Sequence, residues 1–130
     1  MRTSFLMISY AFLLSCVVGC GGKGAQDCNF IAISVIPQNG AANHAAIPPG
    51  NQQKFLAGGV VPAGCPPPPA IVGATWSVSD PVNVTISSAM DSTNGTATCK
   101  GVTAGAVTVT ATSTAGNGKQ ISGTGILTCN

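Results

Sequence analysis

Charge is what this chain has least of. Among 130 residues there are five Lys or Arg against three Asp, with no Glu, one His and a formal net charge of +2. So weak and scattered a positive balance offers no electrostatic footprint for nucleic acid or an anionic surface. Nucleic acid is therefore not an expected partner. Acid–base chemistry by paired carboxylates would have only Asp27, Asp80 and Asp91 to draw on. Asp27 lies in a glycine-rich stretch, and the other two lie in turn-like segments where Asp bonds local backbone amides. The same three are too dispersed to cage Ca²⁺, which takes six to eight oxygens. His44 is the only imidazole and sits between Asn43 and Ala45 in a polar loop, a weak setting for a triad. No Cys-x-x-Cys pair occurs, so a structural zinc site is not expected. Gly21-Gly22-Lys23-Gly24 lacks the spacing and the flanking strand and helix of a phosphate loop. We expect no catalytic residues, no metal and no cofactor.

What is there begins with six cysteines. Cys16 and Cys20 lie in or at the end of an apolar N-terminal run, and Cys28, Cys65, Cys99 and Cys129 are spread over the rest. Arg2 followed by Phe5 to Val18, then small residues from Gly19 on, is the layout of a secretory signal. The run is shorter than the 20 or so residues a membrane span requires. Val17-Val18-Gly19-Cys20 is similar to the cleavage box of bacterial lipoproteins, which implies a signal peptide over 1–19 and diacylation of Cys20. Leu13-Leu14-Ser15-Cys16 is a poorer box because Leu14 is bulky. Ordinary cleavage near Gly19 or Gly22 and an uncleaved anchor are the alternatives. Residues 20–28 then read as a lipidated cysteine and a Gly-rich tether, and 29–130 as one domain of ordinary size. The seven tether residues Gly21 to Asp27 reach at most about 25 Å.

The four remaining cysteines suit an oxidising, exported environment. They allow three pairings. The expected one is Cys28–Cys129, tying the opening strand to the closing one, with Cys65–Cys99. The first would close a loop of roughly 100 residues, about 4.7 kcal/mol in the chain-entropy account.

Val, Ile, Thr, Gly, Pro and Ser dominate the domain, a bias toward strands and turns. Strands are expected over Phe30–Ile36 and Gln52–Ala57, then over Ala74–Ser79 around Trp76 and Val78. Val82, Val84 and Ile86 mark the next. Val102–Thr114 alternates Val107, Val109 and Ala111 with Thr108, Thr110 and Thr112. Ile121–Cys129 closes the chain after a Gly116-Asn117-Gly118 hairpin turn. Gln38-Asn39-Gly40 reads as a turn, and Gly58–Pro69 as a long loop with polyproline II character at Pro66–Pro69. The pattern is all-β: an antiparallel β-sandwich of about seven strands after the signal segment, with Trp76, Phe55, Val107 and Val109 in its core. The Thr ladder from Thr108 to Thr114 is the solvent face of an ordinary strand or a flat hydroxyl surface for sugar or ice.

Three segments resemble the group 2 bacterial immunoglobulin-like domain of intimin- and invasin-type surface proteins. They are Ile33-Ser34-Val35-Ile36-Pro37 with Ile47 to Ala57, then Thr75-Trp76-Ser77-Val78-Ser79-Asp80-Pro81, then Asn94-Gly95 with Gly101 to Thr112. The resemblance spans roughly residues 29–128. It implies an Ig-like sandwich with no catalytic residues, acting as a structural or protein-interaction module, or alternatively as a carbohydrate or surface-adhesion module. Expected partners are the membrane, through the N-terminal lipid, and an envelope or extracellular protein, with a glycan as the alternative. The resemblance to lipoproteins implies a cell-envelope location, in the outer membrane of a Gram-negative cell because Gly21 follows the lipid cysteine. Secretion follows if the signal is cleaved without lipidation.

Overall fold

β-Branched and small residues carry the chain through nine strands in the computed structural model, which describes residues 26–71 and 73–130. They are β1 (Ala32–Ile36), β2 (Asn39–Ala42), β3 (Gln52–Lys54), β4 (Leu56–Val60), β5 (Thr75–Val78), β6 (Val84–Ile86), β7 (Thr96–Cys99), β8 (Val107–Thr114) and β9 (Gln120–Cys129). No helix occurs among the described residues. The signal segment, Cys20 and the tether as far as Ala25 lie outside the described residues.

The hydrogen-bonded sheets are β1-β4, β3-β7-β6 and β2-β9-β8-β5. Only Phe55 separates β3 from β4, and its N–H donates to the Gly95 carbonyl at 2.8 Å. Residues 52–60 are thus one extended run that pairs with β7 in its first half and with β1 in its second. That run joins the two smaller sheets into a layer of order β1-β4/β3-β7-β6. The other layer is β2-β9-β8-β5. The fold is an all-β, sandwich-like one.

Nine strands rather than about seven arise because the second expected strand is split at Phe55 and two further segments, Asn39–Ala42 and Thr96–Cys99, are strands as well. The first expected strand ends at Pro37, which has no N–H to continue a ladder. There the chain leaves β4 and crosses to the other layer, so Gln38-Asn39-Gly40 is not a simple turn: Asn39 already belongs to β2. β2 runs parallel to β9, from Asn39↔Ile126 to Ala42↔Cys129. The sandwich is therefore not wholly antiparallel, because a strand that changes layers without reversing keeps its direction. β7 is a strand in its own right, in a stretch between Ile86 and Val102 where the sequence pattern marks none. Val82 and Val102 fall outside strands and are 77% and 59% exposed, so the alternation around them extends further than the ladders do.

Period-2 alternation places the core. Val107, Val109 and Ala111 of β8 point inward with Ile121 and Leu127 of β9, against Val35, Phe55, Ala57, Val84 and Ala97 of the other layer. Trp76 on β5 is 6% exposed, and its ring centroid lies 6.4 Å from that of Phe55, which is fully buried. The Trp76 Nε1–H donates to Asn94 Oδ1 at 2.9 Å, satisfying the polar edge of a buried indole. The same Asn94 amide donates to the carbonyls of Ala74 and Ala89. The Ser88 hydroxyl receives the Trp76 N–H at 2.7 Å and donates to its carbonyl. The free edge of β5 is thereby covered by residues 88–94 rather than left as a template for another strand.

β1 crosses β9 at close range. A Cβ on Gly123 would stand 2.0 Å from the Ile33 carbonyl oxygen, and one on Gly125 would stand 3.0 Å from Val35 Cγ1. The ascending order of both pairs means that β1 and β9 run in the same direction.

Candidate functional site

The disulfides follow from these strand directions. The observed bonds are Cys28–Cys65 and Cys99–Cys129, with Cα–Cα separations of 5.6 and 5.7 Å. The expected pairing of Cys28 with Cys129 and Cys65 with Cys99 is therefore incorrect. Cys28 precedes β1 and Cys129 ends β9, and strands running in the same direction put those positions at opposite ends of the sandwich. From Gly123, beside Ile33, to Cys129 is six residues, roughly 20 Å of strand. Cys28 lies beyond Ile33 the other way. β4 runs antiparallel to β1 and so delivers Cys65 to the end where Cys28 enters. β7 ends beside the start of β3, at the end where β9 finishes, and brings Cys99 to Cys129.

The two ends that result differ in chemistry. At the far end Cys99 and Cys129, each 1% exposed, link the two layers. Stacked sheets lie about 10 Å apart, so a Cα–Cα distance of 5.7 Å marks a pinch where they converge. Thr103, a buried hydroxyl that no sequence pattern pointed to, accepts from the Cys129 N–H at 3.2 Å. Its own N–H donates to the Cys129 carbonyl. His44 stands at this end, with Nδ1 2.6 Å from the Asn130 carbonyl and its backbone N–H on the same oxygen. Asp80 accepts from the N–H groups of Val82 and Asn83 and from Asn83 Nδ2. The Asn83 side chain, and after it the Asn83 backbone N–H, hold the Asp80 carboxyl below the usual carboxylate range. Lys100 donates to the Pro81 carbonyl.

Asp91 behaves in the same way within its turn. The Thr93 hydroxyl, then the Thr93 backbone N–H, lowers its pKa. Lys54 Nζ donates to the carbonyls of Ser92 and Asn94, pinning that turn to the strand pair. Asp27 accepts from the backbone and side-chain amides of Asn29. The structure thus places Asp27, Asp80 and Asp91 in three separate local networks and brings none of them to His44. Among the described residues no group of three or more His, Cys, Asp or Glu side chains is placed to hold a metal ion.

At the near end Cys28–Cys65 ties the entry of the domain to the loop after β4. Gln26 Nε2 donates to the Ala63 carbonyl at 2.5 Å, a second tie between the same segments. The loop returns to β4 through the Gly58↔Ala70 bridge and the Ile71 N–H to Ala57 carbonyl bond. Beside it lies an open cleft of about 200 Å³ bounded by Leu56, Ala57, Ala70, Ile71 and Gly73. Lys54 is the cation on its rim, and its ammonium is engaged by the two carbonyls already named.

A third surface is the outer face of β5-β8-β9. Register sets Thr75, Thr112 and Ser122 in one row, and Ser77, Thr110 and Thr124 in the next. Thr108 follows, beside Ile126. These hydroxyls form an uncharged grid about 4.8 Å across the strands and about 7 Å along them. The ladder on β8 was legible from the sequence. The flanking rows were not, because they depend on which strands become neighbours. Compared with protein-family models and with curated proteins, the chain matches none.

Proposed function

We propose that the chain is a non-catalytic cell-envelope lipoprotein whose single Ig-like domain serves as a structural or protein-interaction module. The observation that carries this reading is the strand order. One layer runs β1-β4/β3-β7-β6 and the other contains β5-β8-β9. In chain order that follows the arrangement of a constant-type Ig sandwich, A-B-E-D against C-F-G, with the buried Trp on the third strand. Two disulfides agree with an oxidising, extracytoplasmic setting. The motif resemblance over residues 29–128 and the Val17-Val18-Gly19-Cys20 box point the same way. A structural role also accords with the titratable side chains, since Lys54, Lys100, Asp80, Asp91 and His44 brace turns and loop ends.

Metabolic labelling with a fatty-acid probe tests the anchor: label is expected on the wild type and lost in Cys20→Ala, and equal labelling of both overturns it. Crosslinking in intact cells, followed by identification of the captured envelope or extracellular protein, tests the interaction role. The hydroxyl grid favours a second reading, adhesion to a neutral glycan. Retention on a polysaccharide that is lost in Thr110→Val together with Thr112→Val would replace the first reading with this one.

A further inference from the structure

Surface loops are normally built from polar residues. From Leu56 to Ala74 this chain has no charged side chain and, apart from Cys65, no side chain with a polar hydrogen. Much of that stretch is nevertheless on the surface. Ala63, Gly64, Pro66, Pro67, Pro69 and Ala70 are exposed, and Leu56 is 57% exposed. Ile31, adjoining Val60 through its N–H to carbonyl bond, is 58% exposed. An exposed apolar surface of this kind marks a contact with something apolar.

The place of this loop says what that is. Cys28–Cys65 and Gln26–Ala63 fasten the entry of the domain to the loop itself. Only six covalent steps separate Gln26 from Cys20, a reach of at most about 22 Å. The charged and ionisable side chains Asp80, Lys100 and His44 lie at the other end, with Cys99–Cys129. Near the apolar loop are Asp27, the 115–119 turn carrying Lys119, where a Cβ on Gly116 would stand 2.6 Å from Asn29 Oδ1, and Lys54 on the cleft rim, its ammonium engaged by the Ser92 and Asn94 carbonyls.

We infer that the Val60–Ile71 loop, with Ile31 and Leu56 beside it, is a membrane-docking face that rests in the interfacial region of the bilayer holding the Cys20 lipid. This rests on the lipoprotein reading above and adds an orientation to it: the disulfide Cys28–Cys65 turns the end bearing the apolar loop toward the lipid and the end bearing Cys99–Cys129 away from it. Such a loop, without aromatic side chains, would bind a membrane weakly by itself. Tethered within about 22 Å, it meets the surface as an intramolecular partner at an effective concentration near the millimolar range, where weak contacts suffice.

The test uses the full lipidated protein in phosphatidylcholine vesicles with and without bromine on the acyl chains. A reporter indole is introduced by Pro67→Trp in the loop or Val102→Trp at the far end, both exposed positions. Emission of Pro67→Trp should be about twofold lower in brominated vesicles, with a blue-shifted maximum, while Val102→Trp is unchanged. Ala63→Trp, at a second exposed loop position, repeats the measurement if Pro67→Trp unfolds. Protein that floats with the vesicles but shows no quenching at either loop position overturns the docking and leaves the anchor standing. Failure to float, with no acyl mass on Cys20, overturns the anchor and the docking with it.

Discussion

Removing the two disulfides one at a time should destabilise the domain unequally, and in the order opposite to loop length. The chain-entropy relation assigns about 3.6 kcal/mol to the 30-residue separation of Cys99–Cys129 and about 3.8 kcal/mol to the 37-residue separation of Cys28–Cys65. On the unfolded chain alone the two are nearly equal, with the longer loop slightly ahead. The folded state separates them. Cys28 is exposed and Cys65 half-buried, both outside strands. Cutting their bond lets a few residues of the entry segment and loop regain backbone freedom, at roughly 1–2 kcal/mol each, which returns much of the loss. Cys99 and Cys129 are held in ladders on both sides of the core and cannot loosen, and Ala at both leaves voids where two sulfurs were packed. We expect about 4–5 kcal/mol for Cys99→Ala with Cys129→Ala, and about 1–2 kcal/mol for Cys28→Ala with Cys65→Ala. In thermal melts these become drops of about 15–30 °C and about 5–10 °C. Equal drops, or a larger one for the Cys28 pair, would refute the argument from native-state freedom. Mass mapping of non-reduced peptides checks the pairing, and a Cys28–Cys129 peptide would refute the strand directions themselves.

Asn94→Ala should destabilise by about 2–3 kcal/mol, because it leaves the Trp76 indole N–H without its acceptor and the Ala74 and Ala89 carbonyls without a donor. Urea melts followed by Trp76 emission would show this, and an unchanged midpoint would count against the network. Gly123→Ala should cost at least about 1–3 kcal/mol, since its Cβ would meet a backbone carbonyl at 2.0 Å, which cannot rotate away as a side chain can. A melt indistinguishable from wild type would mean β1 and β9 are further apart. Asp80 and Asp91 have depressed folded-state pKa values, so their contribution to stability is fully present above the unfolded carboxylate range near 4 and is lost as pH falls from there through the lower folded-state values. Melts across that window should show the wild type losing stability more steeply than Asp80→Asn, and parallel curves would contradict the assignment.

Much of the fold is legible in the residues. Alternation locates β5 and β8, and Gly116-Asn117-Gly118 marks the β8–β9 turn. There the Ala115 N–H meets the Lys119 carbonyl, and Asn117 Oδ1 accepts the Lys119 N–H. Such signals are local, carried by neighbours in the chain, and need no partner to be read. Trp76 and Phe55 stand out among the large apolar side chains of the domain and both lie in the core, with Phe30 packed against it half-buried. Less legible were β2 and β7. Asn39-Gly40-Ala41-Ala42 has small, weak strand formers that become a strand only because β9 is there to pair with them. Asn94 stands in the sequence only as half of an Asn-Gly step, and the approach of Trp76 makes it a hub.

The four domain cysteines divide the two kinds of information most clearly. Composition and spacing alone set Cys28, Cys65, Cys99 and Cys129 apart from the N-terminal pair and leave an even number to crosslink a β domain. Which one meets which is decided by strand direction, a property of the assembled sheets that no single segment encodes. β1 and β9 run the same way, so the first and last cysteines lie at opposite ends: the antiparallel β4 returns Cys65 to Cys28, while β7 and β9 run in the same direction and finish together, bringing Cys99 to Cys129. That same geometry sets the uncharged Val60–Ile71 loop beside the entry of the domain and the ionisable groups Asp80, Lys100 and His44 at the opposite end.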